Sequence, residues 1–156
     1  MYFVGIDVGT GSVRAALVSH AGEIFAQASR PIQTWTYEED SRLYEQSSAQ
    51  IWHALAECVR TLVEQSRVRP EEVRGIGFDA TCSLVAVQKV TGQPHCITPQ
   101  HLPQNSERNV ILWADHRAED EARLINAVHH KVLDYVGGTM SLETVSYTHL
   151  RAHETL

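Results

Sequence analysis

The chain has little cysteine and none of it in a pattern. Cys58, Cys82 and Cys96 stand apart, with no pair at the spacing of a metal knuckle or a redox dithiol. Such usage reads as free thiols of a reducing compartment and argues against a disulfide framework. Basic runs are missing as well: 13 Lys and Arg face 19 Asp and Glu, for a net charge of -6. With no basic–aromatic interleave, a nucleic-acid partner is not expected. No apolar stretch approaches the roughly 20 residues that span a bilayer, so no membrane partner is expected. The N-terminus has no basic start, and Asp7 interrupts its one apolar run, which excludes a signal-peptide reading. A cytoplasmic protein is the expectation. There is no internal repeat. What remains is 156 residues, 43% hydrophobic and 21% charged, enough for one domain with a real core.

Against these absences stands one dense feature at the start, Tyr2-Phe3-Val4-Gly5-Ile6-Asp7-Val8-Gly9-Thr10-Gly11-Ser12-Val13-Arg14. Val4, Ile6 and Val8 are β-branched residues suited to a sheet interior. Asp7 puts a charge into that run, and a buried carboxylate is costly unless it is paired or faces a metal. Gly9 and Gly11 allow a tight turn that brings backbone N–H groups close to an anion. Thr10 and Ser12 add hydroxyl donors, and Arg14 on the next strand offers a guanidinium to a phosphate oxygen. An ordinary hairpin with a type I′-like turn and an exposed Asp is the simpler reading of Gly-Thr-Gly-Ser alone. The whole string favours a phosphate-binding hairpin with an acid placed for a metal.

Three strands are predicted first, at residues 2–8, 13–19 and 23–30, joined closely enough to be an antiparallel meander. Residues 31–44 read as a polar, aromatic surface loop with an acidic patch at Glu38-Glu39-Asp40, a solvated feature rather than a binding site. Ser47 with Gln50 matches a capping box, and a helix should run from there to about residue 65. Its stripe is Ile51, Leu55, Val59 and Leu62, with Trp52, Cys58 and Val63 widening it, Trp52 and Cys58 as core contacts. Residues 74–79 form a fourth strand leading into Ala80-Thr81-Cys82-Ser83. A hairpin over residues 83–92, a polar loop at 94–108, a short strand at 109–113 and a helix at 117–130 follow. Gly137-Gly138 reads as a turn and His129-His130 as a helix end, not a metal site. The order is mixed α/β, an antiparallel start with a crossover into later strands.

Four segments in order now resemble one family. They are Ile6 to Arg14; Tyr44-Glu45-Gln46-Ser47 before a helix with Trp52; Gly75-Ile76-Gly77-Phe78-Asp79-Ala80-Thr81-Cys82-Ser83; and Leu112-Trp113-Ala114-Asp115-His116-Arg117-Ala118. Together they resemble the N-terminal part of FGGY-type carbohydrate kinases. The resemblance covers residues 2–143 and implies an incomplete ribonuclease H-like domain of the actin-like ATPase superfamily. It implies ATP and Mg2+ as cofactors, a sugar or polyol as substrate, and in-line phosphoryl transfer to a hydroxyl. Asp7 would hold the magnesium, Gly9, Thr10, Gly11 and Ser12 would cradle the transferring phosphate, and Arg14 would add positive charge. Substrate contacts would fall on Asp79, Ala80, Thr81 and Trp113. Trp113 would stack on a sugar face or serve as a core Trp at a strand end. Asp115, just past that strand, would bind a hydroxyl or cap the next helix.

Within the family, glycerol kinases carry Arg-Glu at Ala80-Thr81 and xylulokinases a His at Ala80. The Asp-Ala-Thr-Cys-Ser form looks like the ribulokinase branch, with a pentulose such as D-ribulose as substrate. Glycerol or xylulose phosphorylation, or a non-catalytic short form acting as a binding module, are the alternatives. Gly11 stands where glycerol kinases have a second Thr, which removes one hydroxyl. The family's general base is an Asp of a second domain that has no counterpart here, so the chain by itself is expected to be inactive. The complete protein is a candidate homo-oligomer. Residues 144–156 break the family pattern and resemble translated adapter DNA. They are expected to be a non-native, disordered tail.

Overall fold

The computed structural model describes residues 1–143, so the expectation for 144–156 lies outside the described residues. Strands β1 (Tyr2–Val8), β2 (Ser12–Ser19) and β3 (Ile24–Pro31) form the expected meander. After β4 (Glu45–Gln46) and helix α1 (Ser48–Ser66), strand β5 (Val73–Ala80) returns beside β1. It pairs parallel to β1, and the sheet order is β3-β2-β1-β5. A parallel neighbour needs a crossover, and α1 provides it. Strands β6 (Leu84–Val85) and β7 (Val110–Ile111) join β4 in a second small sheet of order β4-β7-β6. Thus the predicted later hairpin and strand build a separate sheet. Helix α2 (Glu119–Ala127) and a 3-10 turn (Lys131–Val136) complete the described chain.

The first sheet has two unlike faces. Period-2 alternation puts Val4 and Ile6 of β1 and Val13, Ala15 and Leu17 of β2 on one side, where α1 buries them with Ala54, Cys58 and Leu62. Burial of Cys58 pushes its thiol pKa up. The helix begins as expected: Ser47 Oγ accepts from the Gln50 amide at 3.2 Å. Gln50 does not close the box, because its Oε1 instead accepts the Gln33 amide at 2.8 Å. One expectation fails on this helix. Trp52 is 66% exposed and is not a core contact, because the buried line runs 54–58–62 and Trp52 lies to its side.

The opposite face carries Phe3, Gly5 and Asp7 of β1, with Arg14 and Ala16 of β2 and Gly77 and Asp79 of β5 in register beside them. The predicted helix at 117–130 is shorter than expected, since His129 takes a left-handed φ of 50° and ends it. Gly137 and Gly138 turn at φ 82° and 90°, which glycine adopts without strain. The acidic patch is a solvated loop feature. Arg42 hydrogen-bonds Asp40 through its guanidinium and holds that carboxyl down to about 2. Among the described residues, no helix is long and apolar enough to cross a membrane.

Candidate functional site

The hairpin between β1 and β2 turns differently from the simple expectation. Gly9 N–H donates to Ser12 C=O at 3.0 Å, leaving Thr10 and Gly11 at the tip. Neither glycine, nor Thr10, lies in the left-handed region, so the turn is not type I′. The need for glycine at position 9 is clearance. A Cβ there would lie 3.0 Å from Arg14 Nη2 and 3.4 Å from the Ser12 carbonyl, whereas one at Gly11 would meet nothing within 4 Å. Among the described residues, nothing accepts from the Thr10 and Gly11 amides. These N–H groups, with the hydroxyls of Thr10 and Ser12, form a donor-rich tip that suits an anion.

Asp7 and Arg14 are register partners, and their side chains pair at 2.7 Å between Oδ2 and Nη2. The carboxylate is 45% and the guanidinium 61% exposed, so the costly buried charge foreseen from the sequence is absent. Pairing orients both groups and leaves them open to solvent on one side. Asp79 lies in register on the other side of Asp7, its Oδ1 accepting the Ala80 amide at 3.0 Å. Asp7, Arg14 and Asp79 thereby line a concave face of about 830 Å³ floored by Gly5, Gly77 and Ala16.

The tip of the hairpin is held from the second sheet. Gln46, buried in β4, donates from Nε2 to the Thr10 carbonyl at 2.7 Å and to Thr34 Oγ1 at 2.9 Å. Trp113, just beyond β7, donates its indole N–H to Thr10 Oγ1 at 3.0 Å. The Trp113 amide donates to Ser83 Oγ at 3.2 Å, and Ser83 Oγ lies 3.2 Å from Thr81 Oγ1. Ala80, Thr81 and Ser83 also line a smaller groove with Val8 and Trp52. Trp113 is therefore not a core residue, and it joins the hairpin to the 79–83 segment.

Asp115 departs from both readings made of it. It is fully buried, with Oδ1 and Oδ2 accepting from Arg117 Nε and Nη2 at 2.8 Å each. It further accepts the Tyr44 amide at 2.7 Å and the Arg117 amide at 2.9 Å. Every face is used, so it has no side left for a hydroxyl, and the residue capping α2 is Ala118. Arg117 also reaches Glu45 Oε1 at 3.0 Å, and Glu45 Oε2 accepts from Thr98 and Tyr37. Despite the desolvation that opposes it, the carboxylate partners raise the Arg117 pKa. Burial raises that of the Tyr37 hydroxyl. This buried network anchors the segments that carry Gln46 and Trp113.

Gln46 is the positioned residue that sequence reasoning did not single out. Its signal was a polar Glu45-Gln46-Ser47 run directly before a helix, at a place where loops are normally solvated. The donor set fits the cofactors implied. The exposed carboxylate of Asp7 suits magnesium, which needs only one or two carboxylates beside phosphate oxygens. The hairpin amides and hydroxyls suit the phosphate. Among the described residues, no group of three His, Cys, Asp or Glu could hold a metal without such help.

Comparison with known proteins shows the family and the fold. A family model described as the FGGY family of carbohydrate kinases, N-terminal domain, matches residues 2–150. A D-ribulokinase of Saccharomyces cerevisiae is 47% identical over 142 residues, covering 91% of this chain and 19% of its own length. The human FGGY carbohydrate kinase domain-containing protein is 49% identical over 142 residues, covering 91% of this chain and 24% of its own. The crystal structure of xylulose kinase from Rhodospirillum rubrum superposes with a TM-score of 0.62 at 22% identity, over 82% of this chain and 23% of that one. That likeness establishes the fold. The chain spans about a fifth to a quarter of the length of the curated relatives it matches.

Proposed function

Because this chain belongs to the FGGY family of carbohydrate kinases, through that family's N-terminal domain, we propose that it contributes the phosphate hairpin and part of the sugar site to an ATP-dependent kinase. The substrate is a pentulose such as D-ribulose, phosphorylated on a hydroxyl. The observation that carries this reading is the join at Thr10. There an anion-suited hairpin tip and the Trp113 and Thr81–Ser83 segment meet through one hydrogen bond.

In this reading the Thr10 and Gly11 amides and the Thr10 and Ser12 hydroxyls bind the transferring phosphoryl group. Arg14 neutralises charge beside it and is itself aimed by Asp7. Asp7 would hold the hydration shell of a magnesium ion. That ion, when bound, neutralises charge on the phosphates. Asp79, Thr81 and the Trp113 ring face the sugar, and Ala80 leaves room for a substrate larger than glycerol. Asp115 is not part of the sugar site. The identity with a D-ribulokinase supports a pentulose. The glycerol- and xylulose-kinase alternatives predict a different order of substrates.

The test is ADP release by the complete polypeptide with MgATP and D-ribulose, L-ribulose, D-xylulose or glycerol. D-ribulose is expected to give the highest kcat/KM. A preference for glycerol or xylulose would overturn the substrate assignment, and no sugar-dependent ADP at all would overturn the kinase reading. The 156-residue polypeptide assayed alone is expected to release none, because it spans only about a fifth to a quarter of the length of the curated relatives it matches.

A further inference from the structure

Trp113 enters the reading above as a platform for a sugar ring, which uses only its π face. Its indole N–H is spent elsewhere, on the hydroxyl of Thr10, 103 positions away in sequence. Thr10 is held a second time, through its carbonyl, by Gln46. We propose that Trp113 and Gln46 are positioning residues for Thr10, and that they point its hydroxyl proton at the transferring phosphate.

A threonine hydroxyl has one proton to give and two lone pairs. The indole N–H can only donate, so it must occupy a lone pair. The Thr10 proton is then turned away from Trp113. A phosphate oxygen can only accept, so the same hydroxyl that takes from Trp113 gives to the anion. Each bond in such a relay polarises the next, which strengthens the donor facing the phosphate.

The backbone at Thr10 must be fixed for this to be directional. Gln46 does so: it is 2% exposed, and both its Nε2 bonds go to acceptors, Thr10 C=O and Thr34 Oγ1. Both acceptors lie on one side of the carboxamide, which sets its orientation. Trp113 is fixed in turn through its own amide on Ser83. The relay therefore starts in the sugar segment and ends at the phosphate tip. A sugar that settles Trp113 would order Thr10 at the same time, which links acceptor binding to the readiness of the phosphate site.

This inference rests on the kinase reading, and its test separates the two. In the complete polypeptide, Trp113→Phe keeps a ring for stacking and removes the N–H, while Thr10→Val keeps the shape and removes the hydroxyl. Each is expected to lower kcat about 3- to 30-fold with KM for D-ribulose changed less than about twofold, the pattern of an interaction realised in the transition state. The double variant should be no slower than the worse single, because both changes break one relay. Thr10→Ser should restore most of the rate. The indole N–H resonance of Trp113, assigned by its loss in Trp113→Phe, should move in Thr10→Val.

If Trp113→Phe raises only KM for the sugar and its effect multiplies with that of Thr10→Val, Trp113 is a platform alone and the inference fails. An unmoved indole resonance in Thr10→Val would also sink it. A wild-type polypeptide that phosphorylates no sugar would remove the kinase reading, and this inference with it.

Discussion

At the scale of single residues, Gly9 and Gly11 look alike in sequence and differ in what surrounds them. A methyl at Gly9 meets the Arg14 guanidinium at 3.0 Å, so that group must give by a few tenths of an ångström from its place beside Asp7. A methyl at Gly11 meets nothing, and its backbone is one that alanine adopts. We expect Gly9→Ala to weaken binding of a magnesium-loaded, non-hydrolysable ATP analogue by the complete polypeptide about 3- to 10-fold, the scale of one weakened charge-assisted hydrogen bond. Gly11→Ala should stay within about twofold, since a surface change away from contacts costs little. Titration calorimetry on both variants checks this; equal effects would show that clearance around Arg14 is not the reason for glycine. The pair also shows why the glycine signal was legible but its cause was not. The sequence pattern allowed a left-handed turn, and the observed turn needs none.

At the scale of elements, the two-residue strand β4 matters more than its length suggests. Glu45 and Gln46 are both buried, one holding the polar network and the other the hairpin. Arg117 forks between Glu45 and Asp115, and both carboxylates are fully buried. Replacing Arg117 with Met leaves two buried charges facing each other, at a cost of about 3–5 kcal/mol. Arg117→Lys should recover only part of this, because a point charge cannot serve two carboxylates in a planar fork. Hydrogen exchange at the Tyr44 amide, whose acceptor is Asp115, reads the loss locally. Unchanged protection in Arg117→Met would mean the network does not hold the second sheet. From sequence, the acidic patch at 38–40 drew attention and Glu45 did not. Glu45 becomes a buried acid only once Arg117, Thr98 and Tyr37 close around it.

At the scale of the whole molecule, the sheet is covered on one face by α1, and among the described residues it ends at β5 with an open edge. Ile76 and Phe78 of that strand are 55% and 64% exposed, and Trp52 lies exposed on α1. Large apolar side chains on an unpaired edge strand invite association. The 156-residue polypeptide alone is therefore expected to bind an apolar dye and to self-associate as it is warmed. A sharp, reversible melt of a monomer, followed by calorimetry and light scattering together, would contradict this.

The sequence by itself determined the parts that depend on near neighbours. The strand–turn–strand start, the Ser47 cap and a helical crossover into a fourth strand follow from local periodicity, turn residues and short connections, whereas the place of β5 beside β1 came from the fold. The family resemblance followed from the same local strings. Tertiary structure decided which polar groups are buried and who answers them. The indole of Trp113 reaches Thr10 over 103 residues, and Arg117 reaches Glu45 over 72. A hydrogen bond between residues so far apart leaves no period or spacing behind. Asp115 illustrates the consequence: local pattern allowed a sugar ligand or a helix cap, and only its burial against Arg117 and Tyr44 made it an anchor. Chemistry-bearing residue types are visible one at a time. Their roles depend on desolvation and on partners that only the folded chain brings within reach.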